Sequence, residues 1–481
     1  MRSQRKLFAV AIAGLSGFAA QAAAPIHPAP PVAAPSAASA PLAAASPGAA
    51  ESPGTANSPG TAESPGAAAS SGTAVSPGAA GSPPLAPLAA WALAADGTEA
   101  RAAAAELRQA GAAAVAALLA AQAADPAPEP RFREALDRVC AQRDCEASHL
   151  FWYTDLEQAR AEARRSGRPI LSLRLLGRLD EEMSCANSRF FRTVLYANQE
   201  VSRLLRDDFV LHWSSERPVP RVTIDFGDGR SLEGTITGNS VHYVLDSRGR
   251  LVDALPGLYG PRAFLRLLAA DRDEARRLAP SGDASFATQL GLFHRTQKAA
   301  IDARLDLDLM RTGGSRQAAE AERTPPAAGS TPTAYNAAPR AASKSLVETA
   351  PLSAFSIAGR QQVLQAIDWD RIAALHEADW RLDAASLAEL ERKQLARDPD
   401  PARLRATARG FERLVGIDTM RNEYLFHAVL HAWLSRGGGV PDLDDFNRRV
   451  YSDLFLTPRT DPWLGLDSPE TFMDLEPAAA R

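Results

Sequence analysis

The side chain best placed to do chemistry is Cys185, which lies in the stretch 184–192 just after the apolar run 169–176. Ser188 follows it three positions later, where a second cysteine would complete a Cys-x-x-Cys dithiol. A dithiol can be oxidised to a disulfide within its own motif, whereas a lone thiol cannot. Because Ser188 replaces the second cysteine, the motif cannot form an internal disulfide as a disulfide oxidoreductase does. Cys185 is therefore the one candidate thiol.

The residues after Cys185 favour its thiolate form. If a helix begins at Ala186, the thiol lies at the helix N-terminus, where unpaired amides and the macrodipole attract negative charge. Arg189 and Arg192 add positive charge nearby. We therefore interpret Cys185, Ser188 and Arg189 as candidate catalytic residues of a monothiol that could form mixed disulfides or reduce a peroxide. The alternative is a buried cysteine that is retained for packing.

A second set of candidates lies near the C-terminus, where Glu423, His427 and His431 are spaced by four residues. This spacing puts them on one stripe of a helix, which is ligand geometry for zinc or for a di-metal site in a helical bundle. The two histidines lie about 90° and about 130° from the centre of the apolar face, so we expect the stripe to flank the core and to tend toward solvent. The alternative is an ordinary polar helix face. The carboxylates available on a facing helix are those of Asp442, Asp444, Asp445 and Asp453.

A further metal hypothesis combines Cys185 with His212 and His242, which lie on neighbouring predicted strands. Thiolate and imidazole ligands suit copper or zinc. A histidine among apolar strand residues is more often a structural group whose polar atoms are satisfied. The sequence predicts no cofactor.

The remaining two cysteines, Cys140 and Cys145, lie five positions apart. In an oxidising compartment they are the natural disulfide pair, which leaves Cys185 as the odd thiol. On one regular helix they would face different sides, because five residues rotate by about 500°. The disulfide therefore requires a break in the helix. A zinc site built on this pair is disfavoured, because no second cysteine pair follows.

The first residues resemble a secretory signal. Arg2, Arg5 and Lys6 precede an apolar stretch over 7–20 and a small-residue cleavage site at 20–22, so residues 1–22 are predicted to be a signal peptide. We expect a periplasmic or secreted protein, with no later run as long as the roughly 18 apolar residues of a membrane span. The net charge of −4 gives no reason to expect nucleic acid. Proteins or protein thiols are the expected partners.

Composition divides the rest of the chain into regions of different character. Residues 23–84 are rich in Ala, Pro, Ser and Gly, with serine recurring every six positions, and are predicted to be a disordered tether. Residues 85–125 read as an alanine-rich helical hairpin similar to one HEAT-type unit. A helix is expected over 280–311, a disordered linker over 312–356 and a helical C-terminal domain over 357–481.

The compact centre is predicted over residues 126–279. It reads as helix, strand, cysteine, helix, strand, then a hairpin over 222–237, two more strands and a closing helix. With Trp152 ahead of an alanine-rich and charged helix, and with Gly-x-Pro-Ile at 167–170, this order resembles the thioredoxin superfamily over about residues 150–272. The resemblance implies an α/β core with a central mixed sheet and flanking helices. The chain would then combine this thioredoxin-like core with an all-α C-terminal domain and disordered linkers.

The sequence departs from the thioredoxin pattern at two positions that matter for activity. Ser188 stands in place of the resolving cysteine. The stretch 238–246 contains no proline, although members of the superfamily carry a cis-proline before the corresponding strand. The hairpin at 222–237 is also an apparent insertion. We therefore keep three hypotheses. The first is a thiol-redox or thiol-binding role as a monothiol oxidoreductase, and the second is a non-catalytic interaction or scaffold protein. The third is metal binding by the C-terminal domain.

Overall fold

A computed structural model of the chain describes residues 84–94, 97–236, 238–324, 367–395, 400–436 and 439–461. All of them belong to one compact unit that spans residues 79–481. The predicted signal peptide, and the predicted tether apart from Pro84, lie outside the described residues. So does the part of the predicted linker from 325 to 356.

The centre of the unit is a mixed five-stranded sheet with the strand order β1-β3-β2-β6-β7. Strand β2 pairs in parallel with β3 and antiparallel with β6, and β6 pairs antiparallel with β7. Strand β2 is buried on both faces along almost its whole length, as expected of a strand that is covered on both sides. The five strands are β1 (Trp152–Tyr153), β2 (Ile170–Leu176), β3 (Val210–Arg217), β6 (Ser240–Leu245) and β7 (Leu251–Pro256).

The remaining two strands form a separate antiparallel hairpin, β4 (Arg221–Asp225) and β5 (Ser231–Thr235). The turn between them contains Gly227 and Gly229, both with positive φ, a conformation that glycine adopts without steric cost. The predicted hairpin is therefore confirmed. It lies outside the five-stranded sheet.

Two of the helices next to the sheet begin and end as their sequences require. Asp155 caps the helix Leu156–Ser166 by accepting the N–H of Gln158, and Gly167 ends it with a left-handed backbone. Asn198 caps a second helix in the same way by accepting the N–H of Val201. The helices of this region are α5 (Leu156–Ser166), α6 (Ala186–Phe190), α7 (Gln199–Asp208), α8 (Pro261–Leu278), α9 (Asp283–Thr312) and α10 (Arg316–Arg323).

Helix α10 occupies the first part of the predicted disordered linker 312–356. Its last residue, Arg323, is buried and donates to the backbone oxygen of Tyr424 at 2.6 and 2.9 Å. A buried guanidinium with backbone partners anchors this segment to the C-terminal helices. The described start of the linker is thus part of the packed unit.

The N-terminal helices form a second hydrophobic core with Phe151 and the disulfide region. They are α1 (Leu85–Ala94), α2 (Gly97–Leu107), α3 (Ala113–Ala124) and α4 (Glu129–Cys140). Helix α4 ends at Cys140, because Ala141 takes a left-handed backbone with φ of 51°. The chain then turns and Cys145 forms the disulfide with Cys140. The predicted pairing, and the predicted break in the helix, are both confirmed.

The described part of the C-terminal region is helical, as expected, and residues 357–366, 396–399, 437–438 and 462–481 of the predicted helical domain lie outside the described residues. Residues 401–435 form one continuous helical run, in which a π-helical stretch over Asn422–His427 joins two α-helices. This run packs on β7 and α9. The α-helices here are α11 (Trp369–Leu375), α12 (Glu377–Trp380), α13 (Ala384–Leu395), α14 (Pro401–Arg421), α15 (Ala428–Ser435) and α16 (Leu443–Arg449).

Within the described ranges, every helix is too short or too polar to cross a membrane.

Candidate functional site

Cys185 is the N-cap residue of helix α6, as the sequence predicts. Its Sγ accepts the backbone N–H of Ser188 at 3.4 Å. This contact occupies one of the amides that would otherwise be unpaired at the helix N-terminus. The thiol is nevertheless fully buried, with 0% of the residue exposed. Ser188 is also 0% exposed, so neither position of the altered motif reaches the surface.

The backbone of Gly238 lies directly against Cys185. A Cβ added to Gly238 would lie 2.0 Å from the Cys185 Cβ and 3.2 Å from its Sγ. Only glycine therefore fits here without a shift of the chain. The segment that leads into β6 covers the thiol and separates it from the surface.

The two arginines near the thiol differ in their surroundings. Arg192 is buried and donates to the backbone oxygen of Glu181 at 3.0 Å, and it forms an ion pair with Asp144 at 3.6 Å. Arg189 is half-buried and lines a groove on the surface. The guanidinium of Arg192 is therefore bound to Asp144 and to a backbone carbonyl.

The two strand histidines are bound to hydroxyl groups. His212 Nδ1 lies 2.8 Å from Ser172 Oγ, and His242 Nε2 lies 2.7 Å from Tyr196 Oη. Burial lowers the pKa of each histidine to about 3, so both are neutral at physiological pH. In the described ranges neither joins Cys185 in a group of three potential metal ligands.

Glu423 points away from the two histidines with which it shares a helical stripe. Its carboxylate accepts from Arg266 at 2.8 Å and from Arg304 at 2.9 Å, in a charged network beneath α12. Glu423 is itself buried, and the two guanidinium groups offset the free-energy cost of removing its charge from water. The structure therefore separates Glu423 from His427 and His431.

His427 and His431 do lie together, but not where the sequence predicts. Each is 1% exposed, so the expectation that they tend toward solvent is wrong. The helical run that carries them is covered on more than one side, because β7 and α9 pack on its polar stripe. Their partner is Asp253 on β7, whose Oδ2 lies 3.1 Å from His427 Nε2.

The acidic residues expected to face this stripe are all engaged elsewhere. Asp442 caps helix α16, and Asp444 forms an ion pair with Arg174 at 3.0 Å. Asp445 pairs with Arg448 and Asp453 with Arg449, each within its own helical turn. The carboxylate that does face the histidines comes from the sheet.

Sequence reasoning missed Asp253 and also His294, on α9. The His294 Nδ1 lies 2.8 Å from the Nδ1 of His431. Burial lowers the pKa of both of these histidines. Burial alone would raise the pKa of Asp253, but the neighbouring His427 and His431 lower it below its usual value. We name Asp253, His294, His427 and His431 the histidine cluster.

A large surface groove lies beside the buried thiol. It has a volume of about 1420 Å³ and is lined by α4, α13, the segment 182–197 and the β4–β5 hairpin. The hairpin contributes Val222, Ile224 and Leu232, and Leu232 is 43% exposed. Apolar side chains in a concave surface with charged residues around them are typical of a site that binds another molecule. We name this feature the hairpin groove.

Compared with known proteins, the chain matches no protein-family model, no curated protein and no solved structure.

Proposed function

We propose that this chain is an exported, non-catalytic binding protein built on a thioredoxin-like core. The strand order β1-β3-β2-β6-β7, with β2 parallel to β3 and antiparallel to β6, supports the thioredoxin-like assignment. So does the position of Cys185, at the start of the helix that follows the central strand. The basic and apolar residues at 1–22 support export.

The observation that carries the non-catalytic role is the burial of Cys185, the one cysteine outside the disulfide. Thiol–disulfide exchange requires a thiolate sulfur to attack a disulfide sulfur in line, so the partner must reach the Sγ. Cys185 is 0% exposed and is covered by the Gly238 backbone. The other two cysteines are joined to each other. The native fold thus offers a partner no thiol to react with.

The hairpin groove is the surface that this proposal assigns to binding. It lies next to α6, at the place where a redox-active member of the superfamily would present its thiol. We assign to it a peptide segment of a partner protein with apolar side chains, which would pack on the hairpin residues Val222, Ile224 and Leu232. The wall of the groove opposite the hairpin carries Lys393 and Arg392, which form ion pairs with Asp144 at 2.7 and 3.8 Å.

The alkylation rate of Cys185 tests the non-catalytic role. We expect the folded full-length chain to react with iodoacetamide far more slowly than the same chain in denaturant, because the Sγ is covered. An exposed reference thiol is provided by Ser166→Cys in a Cys185→Ala background, since Ser166 is exposed at the end of α5. Rapid alkylation of native Cys185 with an apparent pKa well below the ordinary value of about 8.5 would favour the monothiol hypothesis instead.

A peptide selection tests the binding surface. Peptides enriched from a random phage-displayed library on the wild-type chain should bind Leu232→Asp at least about 10-fold more weakly, because a carboxylate would be buried against an apolar ligand. The control is Leu307→Asp, since Leu307 is 53% exposed on α9 and is not among the residues of the groove. Equal losses in both variants, or no loss in Leu232→Asp, would exclude the hairpin groove as the binding site.

A further inference from the structure

The histidine cluster brings together four buried potential metal ligands from three separate elements: Asp253, His427 and His431 form one close group, and His294 contacts this group through His431. Asp253 comes from β7, His294 from α9, and His427 and His431 from the helical run 401–435. All four residues are at most 1% exposed. One ligand atom from each of Asp253, His427 and His431 lies within 4.8 Å of the others. A site of this kind depends on tertiary packing and not on a local sequence motif.

Three of the distances within the cluster are close to the edges of a zinc coordination tetrahedron. With zinc–nitrogen and zinc–oxygen bonds of about 2.1 Å, tetrahedral geometry puts neighbouring ligand atoms about 3.4 Å apart. The Asp253 Oδ1 lies 3.2 Å from the His427 Nε2 and 3.8 Å from the His431 Nδ1. The His294 Nδ1 lies 2.8 Å from the His431 Nδ1. Each of these three edges needs a shift of about 0.6 Å or less.

The surroundings of His294 fix the tautomer that a metal ion requires. Its Nε2 lies 2.9 Å from the backbone oxygen of Val252, and a carbonyl can only accept, so Nε2 carries the proton. The lone pair is then on Nδ1, which points at His431. Metal-binding histidines commonly donate their other ring N–H to a carbonyl or carboxylate in this way.

Asp253 is held in place by a group outside the cluster. Its Oδ1 accepts the backbone N–H of Ala254 at 2.7 Å. Hydrogen bonds to a ligating carboxylate orient it and are a common part of protein metal sites. The cluster therefore has both the donor atoms of a site and the neighbours that would orient them.

We propose that Asp253, His294, His427 and His431 bind one zinc-class divalent transition-metal ion. Three imidazoles and one carboxylate are a donor set that suits zinc better than calcium or magnesium, which prefer oxygen ligands. His427 coordinates through Nε2, which otherwise hydrogen-bonds to Asp253, and His431 coordinates through Nδ1, which otherwise hydrogen-bonds to His294. In the metal-bound state each of these two histidines carries its proton on its other ring nitrogen. Four protein ligands complete the tetrahedron, so the ion is structural and leaves no position for water. It links β7, α9 and the C-terminal helices.

Metal analysis of the full chain tests this proposal. The protein is purified without a polyhistidine tag, freed of metal with a chelator, dialysed and titrated with Zn²⁺ and with Co²⁺. We expect one equivalent of either ion to bind, and the Co²⁺ form to show the intense visible bands of four-coordinate cobalt. Excess Zn²⁺ should raise the unfolding midpoint by about 5 °C or more, since it binds only the folded chain.

Two variants and a matched control localise the ion. His294→Gln and Asp253→Asn should each weaken Zn²⁺ binding by more than about 100-fold, because each removes a ligand. His149→Asn is the control, because His149 lies on the N-terminal side of the fold with a φ of 54°, a conformation that asparagine tolerates. It should bind as the wild type does. Asp253→Asn keeps the shape of the side chain and serves if His294→Gln does not fold.

Three results would overturn the proposal. The first is the absence of stoichiometric Zn²⁺ and Co²⁺ binding to the folded wild type, which would identify the cluster as a hydrogen-bonded network without a metal. The second is the weak visible spectrum of six-coordinate cobalt. The third is an affinity that is unchanged in the ligand variants or equally reduced in His149→Asn, which would place the bound ion elsewhere.

Discussion

Substitution of Gly238 by alanine tests the close packing over the buried thiol. The added Cβ would lie 2.0 Å from the Cys185 Cβ, whereas ordinary contacts begin at 3.4 Å, so the two chain segments must separate by about 1.4 Å. Overpacking that flexible side chains can absorb costs about 1–3 kcal/mol. Here both clashing atoms are attached directly to the backbone, so we expect a loss of about 3 kcal/mol or more.

Equilibrium unfolding in urea, followed by circular dichroism, measures this loss, and a second substitution identifies its cause. Cys185→Gly removes the clashing Cβ, and glycine is a good N-cap residue, so the double variant should recover about 2 kcal/mol or more of the loss. Cys185→Ala keeps the Cβ and should recover little. The difference between the two double variants measures the steric contact itself.

Two outcomes would refute this reasoning. Gly238→Ala could unfold within about 0.5 kcal/mol of the wild type, which is the usual range for a surface substitution. Alternatively, Cys185→Ala and Cys185→Gly could rescue it equally, and the contact with the Cys185 Cβ would then not be the cause. Either result would mean that the segment before β6 does not lie against the thiol.

Three further predictions concern buried groups away from that contact. His212 and His242 have native pKa values of about 3 against an unfolded value of about 6.5, so stability should fall as the pH drops from about 6.5 toward 3, by up to about 1.4 kcal/mol per pH unit for each. Reducing the disulfide between Cys140 and Cys145 should cost about 2 kcal/mol, as expected for a short loop. Arg192→Met should cost about 3 kcal/mol, because it removes the donor to two partly buried backbone carbonyls and a buried ion-pair partner of Asp144.

Each of these predictions has its own control in urea unfolding. His242→Phe should reduce the pH slope between about 6.5 and 3 by up to about 1.4 kcal/mol per pH unit, and an unchanged slope would mean that this histidine is protonated in the native state. Reductant should have no effect on a Cys140→Ala/Cys145→Ala variant. Arg203→Met removes an exposed arginine on α7 and should be nearly neutral. If it costs as much as Arg192→Met, the buried contacts are not the reason.

Features that depend on neighbouring residues were predictable from the sequence. The turn at Gly227 and Gly229 requires two left-handed residues between alternating strands, and such signals act over a few positions. The disulfide between Cys140 and Cys145 was predictable for the same reason, since its spacing demands the break that Ala141 supplies. The helix start after Cys185 also follows from local sequence.

The histidine cluster was not predictable because its geometry is set by tertiary packing. Asp253 lies 174 positions from His427, and nothing in a single sequence joins them. The helical wheel also failed, for two physical reasons. It assumes one buried face, whereas this run is covered on several. It further assumes 100° per residue, whereas the π-helical stretch Asn422–His427 has a wider i→i+5 repeat and rotates the next helical turns out of phase.

The arrangement of the sheet has a consequence for self-association. An exposed edge strand is a template onto which another chain can add. In the five-stranded sheet one edge strand, β1, is only two residues long, and the other, β7, ends in Pro256 and is packed against the Asn422–His427 stretch. Neither edge of this sheet therefore presents a long exposed strand onto which another chain could add. The β4–β5 hairpin lies outside this sheet, and its largely exposed strands are where an added strand would find backbone groups to pair with.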